Sequence, residues 1–209
     1  MVAVIDYDLG NLQSVSRALQ ISGAEVKITS TSSLIREASA IVLPGVGAFL
    51  KGIENLRKRG ILEVIVEEVK NGKLFLGICL GLQLLFTRSE EHSIVLGMNL
   101  IEGEVVRFTH SLKIPHIGWN QVEYKENEVT NRLFENIPQH SYFYFVHSYY
   151  VKPKEEDITV ATTYYGEIFP SVIVRNNIIG VQFHPEKSGK IGLEFLKNFL
   201  KFLKKKNAC

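Results

Sequence analysis

The sequence predicts a single α/β domain: a central, mostly parallel sheet flanked by helices, with an antiparallel extension. Three observations predict this fold. The chain has 209 residues, the size of one compact domain. Its first half alternates short apolar runs with amphipathic segments, which is typical of a parallel sheet covered on both faces. Its second half is a series of strand-like segments, with a turn signal at Asn176 and Asn177 that indicates antiparallel pairing.

In the first half, strands are predicted at residues 2–5, 25–29, 40–43 and 74–78, because each is a short apolar run bounded by polar or turn residues. The helical spacing of Leu12, Val15 and Leu19 predicts a helix that stops at Gly23. Further helices are predicted at residues 34–38, at 49–69 with an interruption near Gly60, and from residue 80 towards 86.

In the second half, strands are predicted at residues 101–108, 117–124, 142–150, 158–163, 171–175 and 178–183. A last helix, from about residue 190 to 205, follows from a stripe of apolar residues at helical spacing. The stripe consists of Ile191, Phe195, Phe199 and Phe202, with Leu196 and Leu203 beside them. No linker or repeat interrupts the chain, so residues 1–209 are expected to form one domain.

Composition excludes several classes of protein. Hydrophobic residues make up 45% and charged residues 22%, so disorder, collagen and disulfide scaffolds are excluded. The net charge is +2, but without five lysines near the C-terminus it would be −3, so no nucleic-acid partner is expected. Those lysines are Lys197, Lys201, Lys204, Lys205 and Lys206. The longest apolar stretch, residues 74–86, is too short to span a bilayer, and no signal peptide is visible, so a cytoplasmic protein without a membrane partner is expected.

The sharpest local motif is Gly77-Ile78-Cys79-Leu80-Gly81, in which an apolar strand runs into a cysteine and a helix follows. A nucleophile on such a tight turn needs small neighbours two residues away on each side, because larger side chains would clash. The turn lifts the side chain above the carboxyl edge of the sheet, and the following helix N-terminus favours a thiolate. The alternative is a buried cysteine in an ordinary turn. Cys209, the last residue, is not expected to pair with Cys79.

A cysteine nucleophile needs a base, and the base needs a group that orients it. Of the six histidines, His184 has a carboxylate two residues away, in His184-Pro185-Glu186. In an extended chain these two side chains point the same way, so Glu186 can hold the imidazole of His184. His147 is the main competitor as base, but it lies in an aromatic strand without a nearby carboxylate and is expected to be structural.

The segment Pro44-Gly45-Val46-Gly47 follows a parallel strand at the same sheet edge. Its glycines allow backbone amides to turn towards an oxyanion, and the amide of Leu80 is the natural second donor. A zinc site is disfavoured because the sequence has no Cys-x-x-Cys or His-x-x-x-His pair. A phosphate loop is excluded because no glycine-rich segment ends in Gly-Lys-Ser/Thr. Neither a metal nor a cofactor is expected.

Together these motifs resemble the class I (triad) glutamine amidotransferase family. Further segments are similar to one branch of it, the glutaminase subunits of imidazole glycerol phosphate synthase. They are the segments around Asn11, Pro44 to Phe49, Gly77 to Phe86, Pro115 to Asn120, Tyr144 to Tyr149 and Gly180 to Ser188. The resemblance covers nearly the whole chain. One departure is Asp8, which stands where many relatives have glycine.

The resemblance implies that Cys79, His184 and Glu186 hydrolyse glutamine to glutamate and ammonia, with an oxyanion hole at Val46, Gly47 and Leu80. It also implies substrate contacts from four residues, Gln83, Glu91, Ser148 and Tyr149. The implied partner is a cyclase subunit with a (β/α)8 barrel, which uses the ammonia to make imidazole glycerol phosphate and aminoimidazole carboxamide ribotide. The interface candidates are Asn11, Trp119, Tyr144 and Lys187.

Three other functions remain open from the sequence. The chain could be the glutaminase of pyridoxal 5′-phosphate synthase, a non-catalytic scaffold subunit with the same fold, or a cysteine peptidase. The identity of the barrel partner that co-purifies tests the pyridoxal 5′-phosphate synthase alternative. Reaction of Cys79 with a glutamine-analogue electrophile tests the scaffold alternative, and turnover of peptides tests the peptidase alternative.

Overall fold

Two sheets form the frame of the computed structural model, which describes residues 1–91 and 94–204. The strands are β1 (Val2–Ile5), β2 (Val26–Thr29), β3 (Ala40–Gly45), β4 (Leu74–Cys79), β5 (Phe86–Ser89), β6 (Val95–Leu96), β7 (Ile101–Arg107), β8 (His116–Tyr124), β9 (Ser141–His147), β10 (Tyr149–Pro153), β11 (Thr159–Tyr165), β12 (Glu167–Arg175) and β13 (Ile178–Val181). The helices are α1 (Leu12–Ile21), α2 (Ser32–Glu37), α3 (Phe49–Lys58), α4 (Leu62–Lys70), α5 (Leu80–Gln83), α6 (Glu128–Leu133) and α7 (Gly189–Lys204). Short 3-10 turns lie at Glu156–Ile158 and Pro185–Lys187.

The larger sheet has nine strands in the order β2-β1-β3-β4-β13-β12-β11-β8-β9. The first five run parallel, and the rest continue the sheet antiparallel. The predicted α/β fold with an antiparallel extension is therefore confirmed. In the β3–β4 register Gly45 lies opposite Cys79, so the ends of both strands meet at one edge of the sheet.

Helices cover both faces of the parallel strands and create two apolar cores. On one face α1 and α7 contribute Leu19, Phe195 and Phe199, which are fully buried. On the other face α3 and α4 contribute Ile53 and Ile65, also fully buried. Burying one such side chain stabilises the fold by roughly 1.5–3 kcal/mol. Burial on both faces explains why β1, β3 and β4 are continuous apolar runs in the sequence.

The smaller sheet, in the order β10-β7-β5-β6, was not predicted as a separate unit. The helix predicted from residue 80 towards 86 is wrong beyond its first turn, because α5 ends at Gln83 and Phe86 begins β5, which pairs with β7. The single strand predicted at residues 142–150 is also wrong. It is divided at Ser148, because β9 pairs with β8 in the large sheet while β10 pairs with β7 in the small one.

Other elements agree with the sequence pattern. The predicted interruption near Gly60 is confirmed, since Gly60 has φ +64° and separates α3 from α4. Asp8 adopts φ +64°, the region that glycine favours, and its carboxylate accepts a hydrogen bond of 3.1 Å from Arg59 Nε.

The predicted end of the last helix, Lys205, lies outside the described residues, as do Lys206 and Cys209. Within the described ranges, no helix combines the length and the apolar character that crossing a membrane requires.

Candidate active site

Cys79 lies at the last position of β4 in a strained backbone conformation, with φ +54° and ψ −107°. The glycines two residues away are required by space. A Cβ on Gly81 would lie 1.8 Å from the carbonyl oxygen of Leu43, and one on Gly77 would lie 2.7 Å from the carbonyl oxygen of Gly81. Because α5 has only four residues, the support that a helix dipole was expected to give the thiolate is reduced to one turn of amides.

His184 and Glu186 form a buried pair at the same edge of the sheet. The His184 Nδ1 and Glu186 Oε1 atoms are 2.8 Å apart, and both side chains are 2% exposed. The extended geometry predicted through Glu186 is wrong: β13 ends at Val181, and Pro185 starts a 3-10 turn. The turn itself brings the carboxylate back to the imidazole. Because a carboxylate only accepts, Nδ1 carries the proton in this pair.

The imidazole of His184 faces the cysteine. Burial lowers the pKa of His184, but the negative charge of Cys79 and then the carboxylate of Glu186 outweigh burial, and the pKa is raised to about 10. The Nε2 atom of His184 is buried and has no hydrogen-bond partner of standard geometry among the described residues. With Nδ1 held by Glu186, Nε2 is the atom of the imidazole that can give a proton to a bound substrate.

Two further groups contact the sulfur. The Nε2 of Gln182 donates to Cys79 Sγ at 3.6 Å, and Sγ lies 3.8 Å from the carbonyl oxygen of Val146. Gln182 was not among the predicted site residues, although it stands two residues before His184. That spacing was the signal available for finding it.

A cavity of about 520 Å³ opens over Cys79. The predicted oxyanion residues Val46, Gly47 and Leu80 line it. Gly47 has φ +106°, a conformation that permits its peptide to face the cavity, and Val46 is 39% exposed. The register that sets Gly45 beside Cys79 thus brings the predicted oxyanion segment and the nucleophile to one wall.

The predicted substrate residues Gln83, Glu91, Ser148 and Tyr149 line the same cavity. The Gln83 side chain is buried and donates from Nε2 to the carbonyl oxygen of Tyr149 at 2.9 Å. The Glu91 carboxylate accepts a hydrogen bond of 2.6 Å from the amide of Phe49, the first residue of α3. This bond leaves the second carboxylate oxygen of Glu91 available for an ammonium group.

His147 also reaches the cavity, but both of its ring nitrogens are engaged. Nδ1 lies 3.0 Å from the carbonyl oxygen of Tyr149, which only accepts, so Nδ1 carries the proton. Nε2 then accepts from His116 Nδ1 at 3.1 Å, and His116 Nε2 accepts from the Asn120 amide at 3.3 Å. Burial lowers the pKa of His147 to about 3 and that of His116 to about 4. Both imidazoles are thus neutral links in a hydrogen-bonded chain.

The four residues predicted for a partner interface do not all meet. Trp119 is 55% exposed and stands opposite Tyr144 in the β8–β9 register, with ring centroids 6.1 Å apart. The Lys187 ammonium lies 5.7 Å from the centre of the Tyr144 ring, and Lys187 also lines the cavity. Asn11 is exposed at the start of α1, where its side chain accepts from the Ser14 amide, and it has no contact with the other three in the described structure.

Across residues 1–91 and 94–204, no group of three or more His, Cys, Asp or Glu side chains is arranged to hold a metal ion. The groups that the site itself supplies are a cysteine, an imidazole held by a carboxylate, and backbone amides along a cavity.

Known proteins are similar to this chain over nearly its whole length. The family model for glutamine amidotransferase class-I matches residues 3–202. The imidazole glycerol phosphate synthase subunit HisH of Moorella thermoacetica is 49% identical over 198 residues, which cover 95% of this chain and 93% of that protein. The proteins of the same name from Chlorobaculum tepidum and Aquifex aeolicus are each 46% identical, covering 97% and 94% of this chain and 100% and 94% of their own.

Solved structures share the fold at low sequence identity. A crystal structure titled glutamine amidotransferase superimposes with a TM-score of 0.76 at 17% identity, covering 98% of this chain and 100% of its own. The structure of PurLQS from Thermotoga maritima gives a TM-score of 0.75 at 20% identity, covering 99% and 98%. At these identities the likeness concerns the fold.

Proposed function

The chain belongs to the class-I glutamine amidotransferase family, and from this premise we propose that it is the glutaminase subunit of an imidazole glycerol phosphate synthase. In this proposal residues 1–209 form one glutamine amidotransferase type 1 domain that acts in the cytoplasm. The observation that carries the proposal is the meeting of Cys79 with His184 and Glu186 above a cavity lined by the predicted substrate residues.

The first half of the reaction releases ammonia. The thiolate of Cys79 attacks the side-chain amide carbon of glutamine, and a carbon–sulfur bond forms. The negative charge moves to the amide oxygen, where backbone amides at Val46, Gly47 and Leu80 stabilise it. The carbon–nitrogen bond then breaks, and His184 gives the proton from Nε2 to the leaving nitrogen, so that ammonia departs and a glutamyl thioester remains.

The second half restores the enzyme. His184, now neutral, takes a proton from water, whose oxygen attacks the thioester carbon. The carbon–sulfur bond breaks, and Cys79 returns to its thiolate beside the protonated His184. The carboxylic acid that forms leaves and gives its proton to solvent, so the product is glutamate. Glu186 keeps the proton on His184 Nδ1 throughout, so that Nε2 is always the atom that faces the reaction.

A direct test uses this chain together with a barrel-shaped cyclase subunit and its phosphoribulosyl substrate. Cys79→Ala should abolish glutamate release, whereas Cys209→Ser, the matched change at the other cysteine, should retain it. The isolated chain should be weakly active, because hydrolysis is coupled to the synthase. Undiminished release by Cys79→Ala would refute the proposal, and co-purification with a pyridoxal phosphate synthase barrel instead would redirect it.

The partner is proposed to cover the outer face of β8 and β9. Three apolar or aromatic side chains on this face are each more than half exposed: Ile117, Trp119 and Tyr142. Lys187 contacts the ring of Tyr144 on the same face and also lines the cavity. A patch of exposed aromatic and aliphatic side chains beside an active site is typical of an interface. A partner seated there would receive ammonia without its release into solvent.

This interface is tested by substitution at its exposed tryptophan. Trp119→Ala should weaken binding of the cyclase by at least roughly tenfold, a change typical of an aromatic interface anchor, while thermal stability stays the same. Ile21→Ala, at a 62% exposed residue that ends α1, is the control and should leave the affinity unchanged. Equal affinities for the two variants would show that the partner binds elsewhere.

A further inference from the structure

We infer that Gln182 is a further catalytic residue of this site: its amide N–H is aimed at the Cys79 sulfur, holds it in position and stabilises its thiolate. The inference rests on the proposed glutaminase function and adds to it a donor outside the Cys79, His184 and Glu186 set. The contact itself is a 3.6 Å hydrogen bond from Gln182 Nε2 to Sγ.

The direction of the Gln182 amide is fixed by a chain of hydrogen bonds that starts at the backbone. The carbonyl oxygen of Tyr149 can only accept, so Gln83 must present its NH2 group to it, at 2.9 Å. The same NH2 group donates to Gln182 Oε1 at 3.3 Å. With its oxygen turned to Gln83, the Gln182 side chain must turn its NH2 group to the sulfur.

Position and burial favour a role at the sulfur. Val181, the last residue of β13, lies opposite Ile78 of β4, so the residues that follow them, Gln182 and Cys79, lie side by side. Gln182 is fully buried, and a buried amide is costly unless both of its ends are bonded. The sulfur is the acceptor for the NH2 group of Gln182, as Gln83 is the donor to its oxygen.

The amide complements His184 chemically. His184 must give its Nε2 proton to the leaving nitrogen during the reaction, whereas the Gln182 amide does not ionise and keeps its N–H on the sulfur. A hydrogen bond to an ionised acceptor is stronger than one between neutral groups. The Gln182 amide therefore holds the thiolate both before attack and when the thioester breaks.

The test measures how fast iodoacetamide alkylates Cys79 as pH is varied, with the site followed by peptide mass so that Cys209 does not contribute. Gln182→Met keeps the length of the side chain and removes the donor. The pH of half-maximal alkylation should rise by on the order of one unit, as expected for loss of one hydrogen bond to a charged atom. With the cyclase present, kcat should fall roughly tenfold and KM should change less than kcat.

One control variant and one alternative variant test whether the effect comes from the Gln182 donor. Gln139→Met removes a glutamine whose amide bonds only the backbone of Tyr124 in the described structure, and it should change neither reading. Gln182→Glu serves if the methionine variant does not fold, and should raise the alkylation pH further because a carboxylate replaces the donor. The other ionisable groups that face the site are the same in all variants; they are Tyr7, Glu91, His147, Tyr149, His184 and Lys187.

A fall in kcat without a shift of the alkylation pH would overturn the inference, since it would mark a purely structural role. An unchanged kcat and alkylation pH would overturn it as well. Alkylation needs neither glutamine nor a partner, so the two proposals fail separately. If the pH shift is seen in a chain that never hydrolyses glutamine, the proposed function fails and the contact stands. If wild type and Gln182→Met hydrolyse glutamine equally, the function stands and the inference fails.

Discussion

Replacing Glu186 by glutamine is the sharpest test of how the imidazole is held. Glu186 Oε1 and His184 Nδ1 are 2.8 Å apart with both side chains 2% exposed, so solvent screens their attraction little. Opposite charges centred about 4 Å apart attract by about 4 kcal/mol at an effective dielectric constant of about 20. Glu186→Gln removes this attraction and lets the side-chain amide donate to Nδ1, which would leave the proton on the wrong nitrogen.

We therefore expect kcat for glutamine hydrolysis in the complex to fall by roughly 10²- to 10³-fold, since each factor of ten corresponds to about 1.4 kcal/mol. KM should change little, because the carboxylate lies behind the imidazole and not against the substrate. Glutamate release at saturating glutamine measures the effect.

The matched control is Glu194→Gln on α7, where the same chemical change affects a solvent-exposed ion pair with Lys197. It should leave kcat unchanged. If Glu186→Gln retains kcat within threefold of wild type, the assignment of Glu186 as the group that orients His184 is wrong.

Three more predictions follow from burial and packing. Burial holds the pKa values of His147 and His116 at about 3 and about 4, so below about pH 6.5 the unfolded chain binds more protons than the folded chain. The free energy of unfolding should therefore fall as the pH drops from 6.5 to 4. Denaturant titrations should show a slope that approaches about 2.7 kcal/mol per pH unit near pH 5. Gly81→Ala should lower the free energy of unfolding in urea by at least about 3 kcal/mol, because the new Cβ would overlap the Leu43 carbonyl oxygen. Tyr7→Phe should raise the thermal midpoint and increase the free energy of unfolding by about 1 kcal/mol, because the buried Tyr7 hydroxyl has no hydrogen-bond partner in the described structure.

Each of these has a contradicting result. A stability that stays flat between pH 6.5 and 4 would mean that the two imidazoles are not neutral in the folded chain. For Gly81, the control is Gly60→Ala, which meets no atom within 4 Å and should cost only about 1 kcal/mol for its positive φ; equal losses would rule out the steric argument. A lower thermal midpoint for Tyr7→Phe would show that the hydroxyl has a partner.

Much of the site could be predicted because its rules are local. The glycines at 77 and 81 flank Cys79 within five residues, so the sequence alone marks the tight turn. The atom that leaves no room for a Cβ on Gly81, however, is the carbonyl oxygen of Leu43 on β3. Glu186 lies beside His184 because the two are only two positions apart in the sequence, although a turn and not an extended strand brings them together. The boundaries of β1, β3 and β4 follow from apolar runs, since strands buried on both faces need such side chains at every position.

The sequence by itself thus determined the parallel half of the fold and the residue types at the nucleophile, the base and its carboxylate, because those depend on steric and hydrogen-bonding requirements between near neighbours. The tertiary structure alone decided that β9 and β10 join different sheets, since strand pairing is chosen by distant partners. It also decided the direction of the Gln182 amide, which depends on a carbonyl at Tyr149 and an amide at Gln83. No local pattern encodes these contacts between residues 66 to 103 positions apart, because only folding brings them within bonding distance.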